Sequence, residues 1–333
     1  MSERASLEHL HPIWFVPVMG LSGLALAWWR AETLLGPWAD AVAQVIAGLA
    51  LLTLLAVAAA SLWRMSRWPS AWQDDVQHPV RHVFVAAITV SLILIVTVLT
   101  RWWGPSPGLR LAWMLASLSQ MGITLWVLSR WFRPGAHGTL LWPGVTPGLL
   151  IPVVGNVLAP LAGVSLGLSD WAAAQLGIGV VLWPLVLALL WVRIGVAGLW
   201  PERMRPSLFV LIAPPAVTGV SLLQLQGPLL VSQMLWGVAL LFTALALMQL
   251  RACLAQPFGM PMWSLSFPLT ALAALSLRLA DPASLAGQVS GGLSLALATG
   301  VIAALGVATV RGLWRGQLLQ AEPGPAPVSP RSV

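Results

Sequence analysis

Ten acidic residues serve a chain of 333, and every one falls in a tail, a connector or a segment end: Glu3, Glu8, Glu32, Asp40, Asp74, Asp75, Asp170, Glu202, Asp281 and Glu322. Proton-coupled carriers route protons through intramembrane carboxylates or histidines. The absence of an acid from segment centres therefore favours a passive conduit over a proton symporter. Asp74 and Asp75 read as a solvated loop pair. His9, His11, His78 and His82 gather toward one end of the apolar segments. Their spacing is poor for a metal and no cysteine or carboxylate completes a ligand set, so neither metal nor cofactor is expected. No nucleophile, base and orienting group fall together, which leaves no catalytic residues and speaks against an enzyme.

One stretch departs from plain apolar helix. From Met262 to Arg278 the sequence reads MWSLSFPLTALAALSLR, with Phe267 directly before Pro268. Proline removes a helix hydrogen bond and disfavours α geometry in the residue before it, so a bend or local unwinding is predicted at Phe267. Broken backbone at membrane depth is tolerated beside a cavity or inside protein. Phe267 with Pro268 is therefore the leading candidate for a pore constriction.

Composition sets the elements that must hold such a site. With 58% hydrophobic and 8% charged residues, the chain has more apolar surface than a soluble core of its size hides. It reads as a single-domain polytopic membrane protein, all α. Spans of roughly 20 residues fit near 12–29, 38–62, 80–100, 109–129, 146–168, 171–195, 206–224, 229–250, 262–280 and 284–310. Residues 1–11 then form a cytoplasmic tail, 12–316 the transmembrane domain, and proline-rich 317–333 a disordered tail. The apolar run from Ile13 is long enough to span, so it reads as a helix and not as a cleaved leader. Twenty tryptophans and no tyrosine make an indole belt, with Trp28, Trp29, Trp63, Trp102, Trp103, Trp131, Trp142 and Trp314 at segment ends.

All seventeen basic residues are arginine. An even number of spans puts both termini on one face; with the even-to-odd connectors, that face collects thirteen arginines against four, Arg30, Arg101, Arg110 and Arg278, on the other. The bias places both termini in the cytoplasm, in an inner or plasma membrane. The scattered charge gives no footprint for nucleic acid.

The odd segments open with Pro12, Pro79, Pro147, Pro206 and Pro261, a weak repeat of five helical hairpins about an axis. Four of them carry further prolines: Pro17, Pro152 with Pro160, Pro214 with Pro215, and Pro268. The odd helices are thus the expected inner ring. Their small polar residues Ser22, Thr89, Asn156, Thr218, Ser221, Thr270 and Ser276 are candidates to line a pore, and equally to glue helices. Five helix N-termini at one mouth, with Arg81 and Arg205 in the first turns, would gather anions there; Arg278 is a further candidate near the other end.

Together, HPVRHVFVAAI, LIPVVGNVLAPLAGVSLG, RPSLFVLIAPPAVTGVS and WSLSFPLTALAALSLRL, in that order, resemble the tellurite-resistance and dicarboxylate transporter family, which includes bacterial TehA and the plant slow-type anion channels. The resemblance covers almost the whole chain. It implies ten helices as five hairpins, a pore formed by the odd ones, a homotrimer with one pore per protomer, and closure by Phe267, which matches the family's gating phenylalanine. Helix three departs from the pattern in lacking an internal proline. The implied activity is passage of small inorganic or organic anions across the bilayer. Two alternatives stay open: a secondary carrier of malate-like C4-dicarboxylates, and a tellurite-resistance oxyanion exporter.

Overall fold

The computed structural model describes residues 6–132, 142–281 and 283–320. Arg133 and nearly all of the C-terminal tail, from Ala321, lie outside them. Of the expected tail, 317–320 is described: Leu318 is buried against Gly312, and the Leu319 carbonyl accepts from Ser6 N at 3.0 Å.

Nine helices among the described residues are long and apolar enough to span: α1 Pro12–Leu35, α2 Trp38–Arg67, α3 Arg81–Trp103, α4 Pro107–Trp131, α6 Ser169–Ala197, α7 Glu202–Gln224, α8 Leu229–Leu247, α9 Met260–Leu279 and α10 Leu285–Trp314. Between α4 and α6 runs α5, the shorter Pro147–Gly163. The expected segments are present, and the chain is an all-α polytopic membrane protein.

Each odd helix opens in a 3₁₀ turn before settling into α geometry: Pro12–Phe15, Arg81–Phe84, Pro147–Leu149, Glu202–Ile212 and Met260–Leu265. In four of the five the inner prolines give the reason. Pro17, Pro152, Pro214, Pro215 and Pro268 all lie in the first turn of the α segment. There the missing N–H costs little, while the carbonyl four residues upstream loses its α-type donor and its turn tightens. The break in α9 falls at the Leu265–Ser266 junction, so Phe267 stands just inside the α segment and not at the point of unwinding. α3 winds the same way without an inner proline.

The odd helices are inside. In α1, α3, α7 and α9, 78–83% of the most apolar window is buried, against 17–33% in the even helices. Residues 144–160, which hold most of α5, are all buried. α1 packs on α3 and α9, α5 on α3 and α7, and α7 on α9, so the inner helices close a ring. Each even helix lies against the odd helix before it and turns large apolar side chains outward, as at Leu52, Leu125, Leu185 and Leu293. In a bilayer that surface meets lipid. Of the belt tryptophans, Trp63, Trp103, Trp142 and Trp314 are exposed, whereas Trp29 is buried within the protein.

Broken backbone inside hydrocarbon needs replacement donors, and α5 shows where they come from. The Pro152 carbonyl accepts from Gln120 Nε2 at 2.7 Å and Thr124 Oγ1 at 2.6 Å, both on α4, and from its own Asn156 at 3.0 Å. Pro160 has no N–H to offer the Val157 carbonyl, which takes Ser221 Oγ of α7 at 2.5 Å. Gly155 makes room for the Gln120 amide: a Cβ there would lie 2.3 Å from it.

The connector after α2 corrects an expectation. A short helix, Pro69–Gln77, leaves Asp74 exposed but buries Asp75 completely. Arg64 Nη1 donates to Asp75 at 2.6 Å and His11 Nδ1 at 2.7 Å, with Arg81 at 3.4 Å. Arg64 also donates to the Glu8 carbonyl at 2.6 Å, so one carboxylate fastens the N-terminal segment to α2 and α3. The pair is not solvated because two arginines and His11 converge on one member of it. Burial alone raises the Asp75 pKa, yet the His11 and Arg64 interactions outweigh it and hold the carboxyl below its usual range. A depressed carboxylate contributes stability at neutral pH that is lost as pH falls through its folded pKa. Asp75→Asn is therefore expected to lower the melting temperature at pH 7 and to flatten the acid limb below about pH 4, read by thermal unfolding in detergent across pH. An unchanged acid limb would refute the assignment.

Candidate functional site

Two cavities lie within the ring of odd helices, end to end. The first, about 30 Å³, has room for little more than a water. Its wall is almost wholly apolar, with Val16, Met19, Val90, Ile151, Val154, Val210 and Trp263. The second is about 490 Å³ and lies among the C-terminal halves of the same helices. Thr97, Thr100, Ser165 and Thr270 give it hydroxyls, and Arg30, Glu32, Arg101 and Gln224 its polar rim. Phe267 and Leu158 border both cavities. Phe267 is 6% exposed and stands between a narrow, almost wholly apolar space and a wide one that also carries hydroxyl and charged groups.

Glycines on α1 set how closely α9 approaches. A Cβ on Gly20 would lie 2.4 Å from Ser266 Oγ; one on Gly23 would lie 2.3 Å from Thr270 Oγ1 and 3.3 Å from Phe267 Cδ2. Two back-bonds fix the polar side of that contact: Ser266 Oγ donates to the Trp263 carbonyl at 2.7 Å and Thr270 Oγ1 to the Phe267 carbonyl at 2.8 Å. The ring position is thus defined from α1 as much as from Pro268.

Of the other candidates read from sequence, Thr270 lines the wide cavity and Pro268 borders the narrow one. The rest are turned to helix contacts. Thr89 donates to Gln120 at 2.6 Å, and Asn156 joins Thr124 and Gln175. Thr218 donates to the Pro214 carbonyl at 2.7 Å, Ser221 holds Val157, and Ser276 accepts from Trp236 at 2.9 Å. Ser22 is buried with no hydrogen-bond partner among the described residues and is outside both linings. Arg81 is held by Asp75, and Arg205 lies 3.4 Å from Glu202. Arg278 donates to Gln224 at 2.9 Å.

Sequence reasoning missed Leu158, Gln224, Thr100, Ser165 and the rim arginines Arg30 and Arg101. A usable signal existed. Thr97 and Thr100, Leu158 and Leu161, Val217 and Val220, and Thr270 and Ala274 recur at helical spacing, three or four apart, along the faces that continue outward from Phe267.

Residues 9–312 match the family model for SLAC1, the voltage-dependent anion channel. The chain belongs to that family. Among SLAC1-family relatives, it is 23% identical to the S-type anion channel SLAH2 of Arabidopsis thaliana over 281 residues, 79% of this chain and 51% of the relative. It is 23% identical to a tellurite resistance protein TehA homolog of Haemophilus influenzae over 258 residues, 77% of this chain and 76% of that one. It therefore spans about half the length of the plant channel. The resemblance seen in the ordered motifs is thereby established as membership.

The α1–α9 contact yields an expectation. Gly23→Ala forces its Cβ onto Thr270 and should destabilise the protein by about 1–3 kcal/mol, the usual cost of overpacking. Adding Thr270→Ala removes the nearer atom and should restore part of the loss. Equal melting temperatures for wild type and Gly23→Ala in detergent would refute the contact.

Proposed function

We propose that this protein conducts small anions across the membrane through the ring of odd helices, and that the Phe267 ring closes the path. The position of Phe267 on the border of both cavities carries the reading. An apolar constriction resists a hydrated ion by dewetting, and removing the ring lets the two spaces join. Hydroxyls without a facing carboxylate suit passage of an anion: the one acid on the wide rim, Glu32, is already paired with Arg101 at 3.5 Å. Family membership supports the same reading, as does the name of the plant relative. The arginine bias supports cytoplasmic termini, so that the wide cavity faces outward. A homotrimer with one path per protomer is carried over from the family resemblance.

In planar bilayers, purified Phe267→Ala should pass chloride and nitrate with an ohmic conductance about tenfold or more above wild type, equivalent to lowering a barrier by ~1.4 kcal/mol. Folded Phe267→Ala protein as silent as wild type would sink the gate. Saturable malate uptake in vesicles with no current would replace the channel by a carrier.

A further inference from the structure

At the rim of the wide cavity two guanidinium groups meet on one neutral atom. Arg278 Nη1 donates to Gln224 Oε1 at 2.9 Å, and Arg30 Nη2 donates to the same oxygen at 3.5 Å. The nearby acid is already engaged, since Glu32 pairs with Arg101, which also lies over the Trp29 ring at 5.5 Å. Among the described residues neither Arg30 nor Arg278 has a carboxylate within ion-pair distance, whereas Arg64, Arg81 and Arg205 each have one. Three arginines against one glutamate leave this rim with an excess of two positive charges. The last turn of α9 favours a cation at Arg278. That accounts for its sign but not for a second arginine on the same amide oxygen. A guanidinium presents its N–H groups in a planar fork suited to oxyanions, and a carboxamide oxygen is a weaker partner than a charged one.

We propose that Arg30, Arg278 and Gln224 form a binding site for a small oxyanion at the mouth of the wide cavity, with Gln224 Oε1 occupying the anion's place when the site is empty. The anion's oxygens take the guanidinium N–H groups as the Gln224 oxygen swings aside. Arg30 lines the cavity and reaches the ligand from its wall, while Arg278 holds it from behind. This deepens the conduction reading by giving the path a loading site, and rests on it for the anion's onward passage alone.

The test replaces fluoride by nitrate at constant ionic strength and follows the melting temperature of the purified full chain by tryptophan fluorescence. Wild type should show a saturable rise with nitrate. Arg30→Gln and Arg278→Gln should each raise the half-saturating nitrate concentration about tenfold, as expected for losing one charge-assisted hydrogen bond. Gln224→Leu removes the competing oxygen and keeps both cations, so it should tighten nitrate binding; a merely structural glutamine would only lower stability. Arg30 is exposed, so its variant carries the test should Arg278→Gln fail to fold. Wild-type nitrate dependence in folded Arg30→Gln overturns the site, whatever current Phe267→Ala passes. Nitrate binding that vanishes in Arg30→Gln, beside a silent Phe267→Ala, upholds the site and overturns the conduction reading.

Discussion

Irregular backbone within the hydrocarbon needs hydrogen-bond partners from inside the protein, and the buried inner helices of this structure depend on that constraint. The inner helices change winding near one end, where each is largely buried within the protein and has an outer helix packed against it. α5 is the extreme case. It is too short to span as one regular helix, and it survives because Gln120 and Thr124 reach in from α4 and Ser221 from α7 to take its open carbonyls. The polar residues of the interior are therefore chiefly structural. They fill vacancies in the backbone ladder and leave a wall of valine, leucine and methionine around the narrow cavity.

Much of this was legible in the sequence. Segment number and the inner position of the odd helices follow from hydropathy and from where prolines fall, because both are local properties. Side-chain direction is not local. Thr218 and Ser276 resemble Thr270 in chemistry, and only the rotation of each helix decides that Thr270 meets a cavity while the other two are outside it. Leu158 was invisible for the converse reason, since a leucine in an apolar helix carries no chemical label until it stands beside Phe267.

Charge gave a similar lesson. Position along the chain marks Arg64 as a surface anchor, yet its burial and its bonds to Asp75, Glu8 and Ala71 make it an internal strut. The adjacent acids Asp74 and Asp75 are indistinguishable in composition, and a short helix sends one to water and one inward. Long-range partners decided the outcome in both cases.

The unequal room on the two sides of Phe267 bears on how ions would be ranked. An anion entering the wide cavity keeps much of its hydration shell, because about 490 Å³ holds the ion and several waters. Beyond the ring, about 30 Å³ of apolar space holds almost none. On the conduction proposed above, dehydration would be concentrated at Phe267 and Leu158, where the wall of the narrow space is almost wholly apolar. A passage of this shape would admit weakly hydrated anions ahead of strongly hydrated ones.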